Sequence, residues 1–131
     1  MREILFRGKF SDNGNWIEGS LIVGRDLESG QLEYFIAPLS AFYTEVKKVV
    51  PESVSEFTGL TDKNGKKIFE GDIVKYGDSI NKVVFEQRNG TAYFGVVMDD
   101  TETWHFCHLT NAVGMEIIGN IHDNPELLKG K

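Results

Sequence analysis

The sequence predicts a mainly β protein with minor α content, built from two duplicated, small antiparallel β-barrel-like modules of the SH3-like kind. Three observations favour this class: Asn-Gly dipeptides recur, the runs between them are rich in β-branched and aromatic residues, and part of the chain repeats. The 131 residues are 40% hydrophobic and 26% charged, which is typical of a globular protein. A chain of this length can bury a core without a metal or disulfide.

The Asn-Gly dipeptides predict β-hairpins. A two-residue type I′ turn needs positive φ at both central residues, which Asn and Gly tolerate best. Three such dipeptides occur, at Asn13-Gly14, Asn64-Gly65 and Asn89-Gly90. The last lies between the two clearest strand candidates, residues 82–88 and 91–98.

Two further turns are predicted on weaker signals. Ser29-Gly30 precedes a run of alternating character at residues 31–36, which favours a fourth hairpin. Asp99-Asp100 predicts a turn before a strand at residues 103–109, because Asp side chains bond their own backbone in turns.

Helical signals are few. Asn124-Pro125-Glu126 predicts a short C-terminal helical turn, because Asn can cap a helix, Pro has its φ preset and Glu suits the positive end of the dipole. Residues 40–50 fit a helix capped by Ser40. Their β-branched and aromatic content, with Pro51 behind them, makes a strand or irregular segment an equal alternative.

The chain contains an internal repeat. Residues 6–22 resemble residues 57–74, and a shorter echo follows at residues 118–124. Gly19 and Gly71 hold equivalent positions and interrupt their strands, which predicts a bulge or sharp bend at each. The repeat predicts two modules, residues 1–56 and 57–131. The pattern leaves open whether the copies form two barrels or interleave into one compact domain.

Composition and charge indicate the setting of the protein. The net charge of −6 disfavours nucleic-acid binding, because that binding depends on Lys and Arg neutralising phosphates. A single cysteine, Cys107, cannot form an internal disulfide. The first ten residues do not fit a signal peptide, and the apolar runs are shorter than the ~20 residues that span a bilayer. We therefore expect a cytoplasmic protein.

Three blocks of sequence carry a family resemblance. They are MREILFR at residues 1–7, FTGLTDKNGKKIFEGDIV at residues 57–74 and EIIGNIHDNPELL at residues 116–128. Together they resemble the YopX family of small proteins of bacteriophages, prophages and mobile elements. The resemblance spans the whole chain and implies a mostly β fold with some helix, a phage-derived origin and a multimeric assembly. It implies no activity, since the family has no established biochemical function and no catalytic residues to transfer.

Two segments resemble metal sites in residue type but not in spacing. Asp62-Lys63-Asn64-Gly65 begins like a calcium-binding loop, yet the required glycine is fourth instead of sixth and Glu70 is ninth instead of twelfth. A hairpin turn explains this segment. His105, Cys107 and His108 are the only dense set of soft ligands in the sequence. In a strand, His105 and Cys107 would lie on one face and His108 on the opposite face. Structural zinc sites need three or four converging ligands. We therefore predict no metal, cofactor or catalytic site.

Acid–base chemistry could in principle use Asp99 and Asp100 with His105 or His108. Paired Asp residues in a turn have a simpler structural explanation, and Cys107 cannot form a catalytic dyad with histidines of its own strand. An Asp/His hydrolase is accordingly the least favoured function.

Paired aromatic residues favour a protein-interaction function. Neighbours in a strand face opposite sides, so Tyr34-Phe35, Phe42-Tyr43 and Tyr93-Phe94 cannot all point into one core. The surplus could be covered by the second module, a loop or another subunit, and we favour a subunit contact over a ligand surface. The leading hypothesis is therefore a phage or prophage accessory protein that acts through protein–protein contact, expected to be a homo-oligomer. The alternative is a nucleic-acid-binding small β-barrel, because such barrels bind single strands on aromatic platforms.

Overall fold

A computed structural model of the chain describes residues 3–38, 46–99, 104–108 and 112–128. These residues form a mainly β protein, as predicted. The chain divides into two compact units, Met1–Phe57 and Thr58–Lys131.

The first unit is an antiparallel sheet with strand order β4-β3-β2-β1-β5. Its strands are β1 Phe6–Lys9, β2 Trp16–Arg25, β3 Leu32–Pro38, β4 Lys47–Lys48 and the beginning of β5 Ser55–Thr61. The 3₁₀ turn Pro51–Ser53 precedes β5. Because β5 returns to pair with β1, the last strand of the unit lies beside its first.

The segment after β4 pairs on two sides, which curls this sheet. Val49 donates its amide to the Tyr34 carbonyl at 3.0 Å on the β3 side. On the other side Val49 forms a bridge with Phe10, and the Val50 amide donates to the Lys9 carbonyl at 2.9 Å. Ile36 and Val49, both at most 1% exposed, are buried in this unit.

The second unit contains an antiparallel sheet with strand order β10-β9-β8-β7-β11. Its strands are β7 Asp72–Tyr76, β8 Ser79–Arg88, β9 Thr91–Asp99, β10 Trp104–His108 and β11 Glu116–Asn120, and the short β6 Lys67–Phe69 precedes them beside the end of β5. Its core consists of apolar side chains from the strands and from the turn before β11: Ile68, Val74, Val83, Val96, Ala112 and Met115.

The two sheets share one connectivity. In each, the last strand follows a 3₁₀ turn, Pro51–Ser53 before β5 and Ala112–Gly114 before β11. Each last strand then pairs antiparallel with the first strand of its sheet, β5 with β1 and β11 with β7. The orders β4-β3-β2-β1-β5 and β10-β9-β8-β7-β11 therefore correspond, and the first sheet has one further strand, β6, beside β5.

One of the predicted Asn-Gly turns has the expected two-residue geometry. At Asn89-Gly90 both φ angles are positive, 52° and 80°, and Arg88 pairs directly with Thr91. Asn13 and Asn64 instead keep negative φ, and only the glycine that follows each has positive φ. The hairpin between β7 and β8 turns on Gly77-Asp78, a dipeptide that the Asn-Gly pattern does not predict.

Alanine at Asn89 is expected to lower the free energy of unfolding by about 1 kcal/mol, because the left-handed backbone disfavours a side chain with a Cβ but no local hydrogen bond. Asn64→Ala is the matched control and should change it by less than about 0.5 kcal/mol, since its φ is negative. Urea denaturation of the two variants measures both effects. Equal losses would contradict the assignment of strain to Asn89.

The predicted minor α content is wrong for the described residues, which contain no α-helix. The C-terminal turn that begins after Asn124 is the 3₁₀ helix Pro125–Leu128, too short to complete α-helical hydrogen bonds. In the ambiguous segment at 40–50, residues 40–45 lie outside the described residues, and Lys47–Lys48 is a strand.

The predicted bends at Gly19 and Gly71 differ in outcome. Gly71 has φ 88° and turns the chain between β6 and β7. Gly19 lies inside the uninterrupted strand β2, so the predicted bulge there is wrong. The glycine is needed for another reason: a Cβ built on it would lie 1.9 Å from the Ala37 carbonyl oxygen.

Candidate functional site

Asp62, the first residue of the calcium-like segment, serves as a structural acceptor. Its Oδ1 accepts hydrogen bonds from the amides of Asn64 at 2.8 Å and Lys66 at 2.9 Å, which close the turn. Its Oδ2 accepts from the Ile117 amide of β11 at 3.0 Å. The side chain is 4% exposed, and both oxygens are engaged by backbone donors. A hairpin turn therefore explains this segment, as the spacing argument predicted.

These bonds determine the ionisation of Asp62. Burial, the largest single influence, acts to raise its pKa. The amides of Ile117, Lys66 and Asn64, helped by the Lys66 charge, together outweigh burial and hold the pKa of Asp62 below 3.8. Asp62 is therefore an ionised carboxylate at neutral pH.

Other polar residues of the three matching blocks also bind backbone groups. Asp72, 1% exposed, accepts from the Phe69 amide at 2.8 Å across the turn at Gly71. The side-chain oxygen of Asn120 accepts hydrogen bonds from the backbone amides of His122 and Asp123, both at 2.9 Å. The backbone amide of Asn120 donates to the side-chain oxygen of Asn124 at 3.2 Å. The blocks thus encode turns and strand ends of the fold.

Several sequence-predicted candidates remain predictions. Asp99 lies at the end of β9 and His105, Cys107 and His108 lie on β10, but their side chains are outside what the structure describes. Asp100 lies outside the described residues altogether. Within the part of the chain that the structure describes, no group of three His, Cys, Asp or Glu residues could hold a metal ion.

The aromatic surplus is distributed over both units. Phe94 packs on the core of the second unit and meets Phe85 edge-on, with ring centroids 5.1 Å apart, while Phe85 remains 42% exposed. In the first unit the Arg7 guanidinium lies 4.7 Å from the centre of the Trp16 ring and the Lys9 ammonium 5.8 Å from it. Both cations therefore lie within cation–π distance of Trp16. Phe42-Tyr43 lies outside the described residues.

A cleft of about 480 Å³ lies in the first unit and is a candidate site. It is bounded by the loop between β2 and β3, by the beginning of β3, and by the chain from β4 to the 3₁₀ turn. Its lining residues are Asp26, Ser29, Gln31, Leu32, Glu33, Tyr34, Lys48, Val49 and Pro51. Leu32, Pro51 and Tyr34 provide contact area, and the charged side chains can orient a ligand.

Hydrogen bonds fix the walls of this cleft. The Ser29 hydroxyl donates to Asp26 at 2.9 Å, and the Glu28 amide donates to the same carboxylate at 3.2 Å. On the opposite wall Lys48 donates to Glu33 at 2.8 Å. Behind Pro51, the Ser53 hydroxyl oxygen accepts the Lys9 amide at 2.7 Å and holds the 3₁₀ turn against β1. The loop, the strand and the turn are thus each anchored.

The charged groups of the cleft suit binding better than acid–base catalysis. Hydrogen bonds from Ser29 and then from the Glu28 amide hold the pKa of Asp26 below 3.8, which makes it a weak base. The hydrogen bond and charge of Glu33 raise the pKa of Lys48 above 10.5, so its ammonium stays protonated at neutral pH. A nucleophilic lysine needs a lowered pKa, and a carboxylate that acts as a base on a serine needs a raised one.

Sequence reasoning missed this cleft, although Asp26, Ser29 and Pro51 are visible in the sequence. The usable signal was the length of the segment from Asp26 to Gln31, which is longer than a two-residue hairpin needs.

Within the described residues, no helix is long and apolar enough to cross a membrane.

The strands, the structural turns and the cleft define a small two-unit β protein whose recognisable motifs maintain its fold. The model of the YopX protein family matches residues 5–129, and the chain belongs to that family. No curated protein matches it. Among solved structures the chain is similar to protein EF1440 from Enterococcus faecalis, with 22% identity, 98% of this chain and 99% of that chain covered, and a TM-score of 0.47.

Proposed function

We propose that this protein is a phage- or prophage-derived accessory protein that acts in the cytoplasm through protein–protein contact, self-association included, and that the first unit carries the contact site. The observation that carries the proposal is the cleft beside β3, because it combines the exposed apolar surface of Leu32 and Pro51 with the charged side chains of Asp26, Glu33 and Lys48. Interaction sites on β scaffolds commonly lie on loops that a rigid sheet positions.

Loop lengths favour the first unit over the second as the binding unit. In the first sheet, Lys9 pairs with Trp16 and Arg25 with Leu32, which leaves six-residue loops. In the second sheet the corresponding hairpins close with two residues each, Gly77-Asp78 and Asn89-Gly90. Short turns leave little backbone for a ligand, so the second unit is assigned a scaffolding role.

The proposal includes an origin by duplication of an SH3-like module. Support comes from the shared strand order and from the 3₁₀ turn before each last strand. The sequence at residues 56–59, Glu-Phe-Thr-Gly, also resembles Glu-Ile-Ile-Gly at residues 116–119. This alignment matches β5 with β11, whereas the likeness that begins at Phe6 and Phe57 matches β1 with β5. The two modules, assigned from sequence to residues 1–56 and 57–131, would then have diverged in their loops.

Leu32→Asp is expected to reduce capture of partner proteins from a lysate of the host bacterium about tenfold, because it places a charge on the apolar wall. Leu32 is 46% exposed, so the protein should still fold. Leu27→Asp is the matched control, since Leu27 is 98% exposed on the loop that precedes β3 and does not line the cleft. Pull-down with quantitative mass spectrometry measures capture, and thermal melting checks folding.

Capture by Leu32→Asp at the wild-type level would refute the assignment of the site. Light scattering on the same samples tests self-association, which the proposal includes. A mass of one chain at micromolar concentration would restrict the proposal to other proteins as partners.

A further inference from the structure

The three Asn-Gly dipeptides differ in how the backbone holds their reactive groups. An asparagine followed by glycine is prone to spontaneous deamidation, because the glycine nitrogen can attack the asparagine side chain and no Cβ crowds its approach. The asparagines of all three dipeptides, Asn13, Asn64 and Asn89, are exposed to water. Their relative reactivity therefore depends on the hydrogen bonds around each of them.

At Asn13-Gly14 both reaction partners are restrained. The Gly14 amide donates to the Phe10 carbonyl at 3.0 Å, so this nitrogen must give up a hydrogen bond before it can attack. The Asn13 side-chain oxygen accepts the Asn15 amide at 2.9 Å, which also holds the electrophilic carbon in place. Deamidation at Asn13 therefore requires the loss of two hydrogen bonds.

At Asn64-Gly65 the turn around Asp62 restrains the backbone. The Gly65 amide donates to the Asp62 carbonyl at 3.0 Å. The Asp62 carboxylate accepts from the amides of Asn64 and Lys66, which fixes the peptide groups before and after the one that would react. Rotation of the Asn64–Gly65 peptide group is therefore opposed by three hydrogen bonds.

The Gly90 amide is not held in this way. Arg88 pairs directly with Thr91, so the ladder between β8 and β9 closes around Asn89 and Gly90 without using their main-chain groups. Among the described residues, none forms a hydrogen bond with the Gly90 amide or with the Asn89 side chain. Both residues are exposed. The nucleophile and the electrophile can therefore meet without first losing a hydrogen bond to another described residue.

We propose that Asn89 is a site of spontaneous modification, at which water converts the asparagine to aspartate or isoaspartate. The Gly90 nitrogen attacks the Asn89 Cγ, so that the N–Cγ bond forms and the Cγ–Nδ2 bond breaks. Nδ2 leaves as ammonia, which includes the proton that the Gly90 nitrogen loses. Water then opens the cyclic imide at either of its carbonyls, which gives aspartate or isoaspartate.

The products change both the charge and the shape of this hairpin end. Each carries a carboxylate, so the exposed turn gains a negative charge. Isoaspartate also adds a methylene to the main chain of a connection that holds only two residues. The direct pairing of Arg88 with Thr91 cannot persist unchanged around the longer chain.

Peptide mapping of the full chain by mass spectrometry tests the proposal. The protein is incubated at mildly alkaline pH in water enriched in heavy oxygen, which marks the product formed during the incubation. Asn89 is expected to deamidate about fivefold faster than Asn13 and Asn64, since each of those sites must lose at least one hydrogen bond within the protein.

The same incubation in urea is the control. Unfolding removes all of these hydrogen bonds, and each asparagine is followed by glycine, so the three rates should then be similar. Equal rates in the folded chain, or a slower rate at Asn89, overturn the proposal. A preference for Asn89 that is as large in urea as in the folded chain overturns it as well, because it would come from neighbouring residue types and not from the fold.

Discussion

Gly19→Ala is expected to lower the free energy of unfolding by about 3 kcal/mol or more, because the added methyl group overlaps the neighbouring backbone. The new Cβ would lie 1.9 Å from the Ala37 carbonyl oxygen and 2.7 Å from its carbon. Gly19 pairs with Phe6 of β1 and with Pro38 of β3, so neither neighbouring strand can withdraw without breaking pairs. The expected result is a much lower urea midpoint or an unfolded chain.

Gly24→Ala in the same strand provides the matched control. A Cβ built on Gly24 meets nothing within 4 Å, and its φ is not positive. Alanine there should change the unfolding free energy by less than about 0.5 kcal/mol. If the two alanine variants unfold at the same urea concentration, the contact at Ala37 does not restrict Gly19.

Asp62→Ala is expected to lower the free energy of unfolding by about 2 kcal/mol, because three backbone amides lose a buried, charged acceptor. The affected donors are the amides of Asn64, Lys66 and Ile117. Asp62→Asn should lose less, since one amide oxygen can still close the turn. Asp78→Asn, on the exposed two-residue turn between β7 and β8, serves as the control and should unfold like the wild type.

The same carboxylate predicts a pH dependence of stability. The pKa of folded Asp62 lies below 3.8, so its contribution is complete above about pH 3.8 and is lost as pH falls through the folded pKa. Asp62→Ala lacks this contribution. The difference between the urea midpoints of the two proteins should therefore shrink as pH falls below 3.8. A constant difference across that range would show that ionisation of Asp62 does not stabilise the fold.

Much of the fold could be predicted from local sequence. The Asn89-Gly90 turn and the strand-forming residues on both sides of it predict β8 and β9. This prediction succeeds because the hairpin is formed by residues that are close in sequence. Asn13 and Asn64 lie in turns without the predicted conformation, since longer loops and the Asp62 carboxylate determine the backbone there. The Gly19 prediction failed because its constraint comes from Ala37 on another strand.

The candidate site could not be predicted in this way. It depends on the register that places Pro51 opposite Leu32 and on the turn of Val50 toward β1, both of which are long-range pairings. Residue types near Asp26 and Lys48 look like ordinary surface charges in the sequence. Asp26 and Lys48 are seen to line one cleft only once the pairing of β3 with β4 is known.

The hydrogen bond from Ile117 to Asp62 joins residues 55 positions apart, and β11 also covers the edge of β7. During synthesis on the ribosome, the second unit therefore cannot complete its sheet until residues 116–120 have emerged. The first unit closes with β5, well before that point. A message truncated ahead of β11 would yield a chain with one finished unit and a second unit that exposes the edge of β7, a substrate for chaperones and proteases.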